Sequence, residues 1–72
     1  MEILTNKQLD ILEIIKEFID ENGYSPSVRE IGEIAKLNSP ATVHTHLTQL
    51  VKKGYITYVP NKFRTIRVLE VE

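Results

Sequence analysis

The chain has 72 residues, of which 42% are hydrophobic and 26% are charged, and its formal net charge at pH 7 is −1. This length fits a single domain, 1–72, with a small core, and the composition is too apolar for a disordered protein. The absence of cysteine excludes disulfides and thiolate chemistry. No apolar run approaches the about 20 residues of a membrane span, so we expect a cytoplasmic protein without a membrane partner.

The charged residues are distributed unevenly along the chain. Residues 1–37 carry eight acidic and four basic side chains, a net charge of −4, whereas residues 38–72 carry two acidic and five basic ones, a net charge of +3. Two ordinary solvated faces would produce such a split. A basic end that meets a polyanion, with an acidic end facing away, would produce it too.

The first predicted element is a helix over about residues 5–22. Thr5 and Gln8 have the spacing of a capping box, and Gly23 follows as a typical helix end. Leu9 and Ile14 broaden the apolar side of this helix. The predicted buried stripe recurs at helical spacing and consists of Ile11, Leu12, Ile15, Phe18 and Ile19.

Two more helices are predicted around a short turn. Ser27 and Glu30 form a second capping box, which predicts a short helix over about 27–36. Ser39 as the cap and Pro40 at the first helical position predict a third helix over about 39–53. The residues expected to face the core are Val28, Ile31, Ile34 and Ala35 in the second helix and Val43, Leu47, Leu50 and Val51 in the third.

The hydrophobic period changes to two after the third helix. Residues 55–59 and 65–69 are rich in β-branched and aromatic side chains and flank a basic loop, so we predict a hairpin over about 55–70. The predicted fold class is mainly α (α+β): a three-helix winged helix-turn-helix with a C-terminal two-stranded β-hairpin wing. Winged helices bind either DNA or other proteins, and the pattern alone leaves both functions open.

Two histidines in the third helix raise the question of a metal or catalytic site. Successive helical residues are rotated by about 100°, so His44 and His46 point about 200° apart and cannot hold one metal ion. His46 adjoins the buried stripe and is interpreted as a half-buried packing residue. The three serines lie at or near helix starts and no general base is arranged beside them, so we expect no enzyme, metal or cofactor.

Four segments carry a resemblance to a known family: LTNKQLDIL, NGYSPSVREIGEIA, ATVHTHLTQLVKKGYI and RTIRV. In order and spacing they resemble the amino-terminal DNA-binding domain of the LexA repressors, in the form seen in Gram-positive members. The resemblance implies sequence-specific double-stranded DNA binding by a repressor of the bacterial SOS (DNA-damage) response, acting on the nucleoid. The family's second domain, a latent Ser-Lys autoprotease, has no counterpart in the 72 residues, so we expect no enzyme. An end just after the second wing strand is typical of an excised domain, and a natural short protein is the alternative.

The resemblance also implies partners and contact residues. A palindromic operator would be read in the major groove, by a chain that is monomeric alone and dimeric on the operator or within a full-length repressor. The residues implied to read bases are Ala41, Thr42, His44 and Thr45. Those implied to contact phosphates are Ser27, Arg29, Ser39 and Lys53, with Asn61, Lys62 and Arg64 from the wing. Ordinary solvated positions are the alternative for the four base-reading residues and for Arg29 and Lys53. Ser27 and Ser39 are helix caps first.

One departure from the family affects the turn between the second and third helices. Lys36 stands where the family's glycine usually closes the second helix, which predicts a positive φ at this residue. A side chain with a Cβ costs roughly 1 kcal/mol in that conformation. Asn38 is the alternative, because asparagine tolerates it better. The spacing between the two capped helices matches the family without insertion, so we predict that Lys36 is the left-handed residue.

Overall fold

The computed structural model describes residues 3–59 and 62–69, which form three helices and then a two-stranded antiparallel sheet. The elements are α1 (Asn6–Asn22), α2 (Val28–Ala35), α3 (Pro40–Lys52), β1 (Ile56–Thr57) and β2 (Arg67–Val68). The predicted winged helix-turn-helix fold is therefore confirmed. None of these helices, within the described residues, is both long and apolar enough to cross a membrane.

The wing is smaller than the sequence predicts. Its two strands pair only Ile56 with Val68 and Thr57 with Arg67, although the predicted hairpin runs over about 55–70. The backbone N–H of Leu69 extends the pairing by donating to the Tyr55 carbonyl at 2.9 Å. The predicted wing residues 60, 61 and 70 lie outside the described residues.

Local capping interactions fix where α1 and α2 begin. The Gln8 N–H donates to the Thr5 hydroxyl and the Thr5 N–H donates to the Gln8 side-chain oxygen, each at 3.1 Å. Ser27 and Glu30 repeat this reciprocal pair at the start of α2, at 3.1 and 2.8 Å. Both predicted capping boxes are present, and each satisfies two N–H groups that a helix start leaves without a backbone partner.

The turn between α2 and α3 contains the predicted left-handed residue. Lys36 has φ +59° and ψ +40°. Its N–H donates to the Glu33 carbonyl at 3.3 Å, and the Leu37 N–H donates to the Gly32 carbonyl at 2.9 Å. This pair of bonds is the Schellman arrangement, which needs a left-handed residue directly after the helix. The prediction for Lys36 is confirmed, and the alternative at Asn38 is wrong because its φ is not positive.

The core lies where the three helices meet and extends under the wing. α1 packs against α2 and α3, and α3 packs against both α2 and β1. The buried hydrophobic residues are Ile11, Leu12, Ile15, Ile31, Val43, Leu47, Leu50, Ile56 and Ile66.

Two apolar residues expected to face the core are exposed instead. Ile34 is 50% exposed and Val51 40%. Val51 is rotated about 100° beyond Leu50 and so passes the edge of the α3 stripe. Ile34 lies at the outer edge of the seam between α1 and α2, beside charged side chains such as Asp10. The predicted inward orientation of Ile34 and Val51 is therefore wrong.

Candidate nucleic-acid interface

A groove with a volume of about 630 Å³ lies between the wing and the starts of α2 and α3. We call it the wing groove. Predicted contact residues from three separate parts of the chain line it: Ser27, Arg29, His44, Lys62 and Arg64. Its apolar lining includes Val28, Leu37, Val43, Tyr58, Phe63 and Ile66. The fold thus brings the start of α2, the start of α3 and the wing to one side of the molecule.

The other predicted contact residues lie beside this groove or away from it. Ser39, Ala41, Thr42 and Thr45 are all exposed, at or within the first turns of α3. Asn61 lies outside the described residues. The exposed side of α3 from its cap to Thr45 is therefore a continuous surface next to the wing groove.

His44 is exposed and contacts the wing. Its Nδ1 lies 3.1 Å from the Tyr58 hydroxyl, and the two ring centroids are 6.0 Å apart with an interplanar angle of 43°. Tyr58 is half-buried, and burial raises the pKa of its phenol above the ordinary value, so the phenol keeps its proton at neutral pH. No local sequence pattern marks Tyr58 as a site residue, because its contact with His44 joins residues 14 positions apart. His46, unlike His44, is half-buried, as predicted.

The Thr45 hydroxyl is used within α3. It donates a 3.0 Å hydrogen bond to the Ala41 carbonyl one turn earlier. A hydroxyl has one proton and two acceptor lone pairs, so Thr45 retains acceptor capacity and a methyl group for a ligand. Thr45 can therefore accept from a base amino group or contact a thymine methyl group.

The two predicted cap serines have different environments. Ser27 is buried, and its hydroxyl accepts the capping bond from Glu30. Ser39 occupies the cap position of α3, but within the described chain its side chain makes no capping bond, and the residue is exposed. The predicted cap position of Ser39 and the place of Pro40 at the helix start are confirmed, but the capping bond is absent among the residues that the structure describes. The ψ of Ser39 is +123°, whereas the two caps that do bond, Thr5 and Ser27, both have ψ +164°. Its hydroxyl remains available to an anion at this helix start.

Arg64 attaches the wing loop to the start of α2. Its Nη1 donates to Glu30 Oε1 and to the Ser25 carbonyl, both at 2.9 Å, and its guanidinium lies 4.5 Å from the centroid of the Tyr24 ring. The bond from the Ser27 N–H, and then Arg64, holds the pKa of the Glu30 carboxyl below its ordinary value. A direct DNA contact by Arg64 stays a prediction, and the contacts described here make it an anchor of the wing.

The remaining predicted cations differ in how far they are engaged. Arg29 makes only a 3.7 Å pair with Glu33 between exposed side chains, which is a weak interaction in water. Lys62 is exposed. Lys53 donates to Gln8 Oε1 at 2.7 Å and to the Ile3 carbonyl at 3.0 Å, near the start of α1. A phosphate contact by Lys53 would require its ammonium to leave both acceptors, so this assignment stays a prediction.

An aromatic residue that the sequence analysis did not single out projects from the wing. Phe63 is 81% exposed and lies between Lys62 and Arg64 along the chain. Phe63 also lines the wing groove, so it extends the apolar lining of that groove towards solvent. In the described ranges, the histidine and acidic side chains form no group of three or more that could hold a metal ion.

Comparison with known proteins identifies the family. The profile of the LexA DNA binding domain matches residues 1–65. The LexA repressor of Halalkalibacterium halodurans is 53% identical over all 72 residues, and that of Caldicellulosiruptor saccharolyticus is 55% identical over 67 residues, or 93% of the chain. The chain spans about a third of the length of these relatives, 35% and 33% respectively. With a winged helix-turn-helix fold and a family profile that covers most of its length, the chain belongs to the LexA DNA-binding domain family.

Proposed function

We propose that this chain binds double-stranded DNA sequence-specifically, as the DNA-reading part of a LexA-type transcriptional repressor of DNA-damage (SOS) response genes. The main support is the wing groove, which places predicted contact residues from α2, α3 and the wing on one side of the molecule. No residue of α1, all of which is described, lines that groove, and α1 carries five of the ten acidic side chains. A repressor of this kind works on the nucleoid of a bacterial cytoplasm.

The proposal divides the contact residues by role. α3 enters the major groove with Ala41, Thr42, His44 and Thr45 toward base edges, where direct readout takes place. Ser27, Arg29, Ser39 and Lys53 contact the sugar-phosphate backbone and fix the register. The wing lies along the backbone and minor groove through Asn61, Lys62 and Arg64, with the Phe63 ring against the sugar edges.

The proposed partner is a palindromic operator that takes two copies. The domain alone is a monomer that binds a half-site weakly, and two copies occupy half-sites about one helical turn or so apart on the same face of the duplex. Sedimentation of the isolated domain at micromolar concentration, with and without operator, tests this. A stable dimer without DNA would contradict it.

Selection from random duplexes followed by a salt titration tests DNA binding itself. We expect one enriched palindromic sequence. On that sequence the affinity should fall as salt rises, with a log–log slope near −0.9 for each phosphate contacted. Random DNA should bind much more weakly, because the chain has a net charge of −1 and little non-specific attraction to a polyanion.

A protein-interaction module is the alternative, and one observation favours it. The exposed Phe63 ring and the apolar lining of the wing groove could accept the side chains of another protein. In that case no duplex would be enriched, and binding to DNA would show no systematic dependence on salt. Enrichment of one sequence would reject this alternative.

A further inference from the structure

The wing and α3 are joined by a hydrogen bond between two side chains that can each donate or accept. Tyr58 follows β1 directly, and its hydroxyl lies 3.1 Å from Nδ1 of His44, which is exposed on the first turns of α3. The distance leaves two possible arrangements of the proton. Either the phenol donates to Nδ1, or Nδ1 donates to the phenol oxygen.

The chemistry of the two groups favours donation by the phenol. The Tyr58 hydroxyl lies within hydrogen-bonding distance of His44 Nδ1, and this contact is exposed to solvent. The phenol is protonated at neutral pH, and burial raises its pKa further. A phenol O–H is a stronger hydrogen-bond donor than an imidazole N–H, and an imidazole ring nitrogen is a stronger acceptor than a phenol oxygen. The first arrangement is therefore the more stable one.

We propose that Tyr58 is a positioning residue for base reading: it fixes His44 in the tautomer with the proton on Nε2, so that His44 presents a donor to DNA. This inference rests on the proposed base-reading role of His44. A neutral imidazole carries one ring N–H proton. When Nδ1 accepts a hydrogen bond, that proton is on Nε2. Guanine presents two acceptors in the major groove, N7 and O6, whereas the cytosine amino group is a donor. His44 held in this way prefers guanine to cytosine.

The bond also makes the reading of one base depend on the wing. Tyr58 lies between β1 and the wing loop, and the Thr65 hydroxyl closes that loop by accepting from the Val59 N–H at 3.0 Å. Arg64 then ties the loop to α2 through Glu30. The imidazole is therefore oriented by a partner that is itself held on two sides. Such support reduces the conformational freedom that the His44 side chain loses on binding.

Ring-nitrogen NMR on the free protein tests the tautomer without DNA. With ¹⁵N-labelled histidine at about pH 8, we expect the neutral form of the His44 ring to carry its proton on Nε2 alone. Tyr58→Phe keeps the ring but removes the hydroxyl, so His44 should become a mixture of tautomers while His46 stays unchanged as an internal control. A proton on Nδ1 in the unaltered protein, or no change in Tyr58→Phe, would overturn the inference.

Binding measurements separate failure of this inference from failure of the proposed function. His44→Ala identifies the base pair that His44 reads, and there Tyr58→Phe should reduce discrimination against cytosine by about two- to tenfold while random duplexes bind as before. In the His44→Ala background the second change should have no further effect on that discrimination. If His44→Ala alters no base preference, His44 does not read a base. If His44→Ala alters the preference but Tyr58→Phe discriminates against cytosine as well as the unaltered protein does, Tyr58 does not position His44.

Discussion

Replacing Lys36 with glycine should stabilise the domain or leave its stability unchanged. Lys36 has φ +59°, which costs a residue with a Cβ roughly 1–2 kcal/mol. Glycine removes that cost but increases the entropy of the unfolded chain, by about 0.4–1 kcal/mol. The Lys36 side chain is exposed and takes part in none of the hydrogen bonds or ion pairs found among the described residues, so the substitution removes no such contact. The expected net gain is about 0–1.6 kcal/mol.

Urea and thermal unfolding would measure this gain. A domain of this size shifts its Tm by about 4–8 °C per kcal/mol, so the full effect is easily resolved. Gly23→Ala is a matched control: Gly23 has φ +79°, and a Cβ there would meet nothing within 4 Å, so only the conformational cost is added. The two variants should shift stability in opposite directions by similar amounts. A clear fall of the urea midpoint in Lys36→Gly would refute the reasoning, because it would mean that Lys36 contributes something other than strain.

The remaining predictions concern DNA binding and acid stability. His44→Ala should cost about 1–3 kcal/mol on the preferred operator and relax the preference at one or two base pairs, as competition against variant duplexes would show. Lys62→Ala should weaken all duplexes by a similar factor and lower the salt slope by roughly one unit. Glu30→Gln should flatten the loss of stability on acidification. The pKa of Glu30 is lowered from 4.5 in the folded protein, so its stabilising contribution is present at neutral pH and is lost as the pH falls through the lowered value.

Each of these predictions has an outcome that would contradict it. Equal losses on operator and random DNA for both His44→Ala and Lys62→Ala would remove the division between base-reading and backbone contacts. Acid unfolding of Glu30→Gln that follows the unaltered protein at every pH would mean that the bonds from Ser27 and Arg64 do not stabilise the carboxylate. Glu13→Gln, on an exposed position of α1, is the control for a carboxylate with no such partners.

The parts of the fold that follow from the sequence are those decided by residues close together in the chain. Thr5 with Gln8, and Ser27 with Glu30, satisfy the helix starts over three positions, and the end of α1 depends on one glycine. Periodicity is less informative about burial. It gives the direction in which Ile34 and Val51 point relative to their neighbours, but not how much of each helix surface the packed elements cover. Both side chains lie outside the covered surface.

The site was only partly predictable, because residue types indicate a surface but not the partners of each side chain. The family resemblance implies Arg64 as a DNA contact, whereas its contacts with Ser25 and Glu30 span 39 and 34 positions. The Lys53 bond to Gln8 spans 45 positions. No local pattern encodes such pairs, since they depend on how the wing and the end of α3 return to the first two helices.

These long-range pairs have a consequence for how the domain would bind DNA. Arg64 is tied to Glu30 and Lys53 to Gln8, so their proposed backbone contacts require these bonds to break. Among the proposed contact cations, Arg29 and Lys62 are exposed and available without that cost. Few phosphate contacts mean a shallow salt dependence and little non-specific affinity. Discrimination between the operator and other DNA then depends mostly on base contacts from α3. One half-site allows only a few of these contacts. Two linked copies on a palindrome gain affinity without any new contact, so a weak domain suits a dimeric repressor.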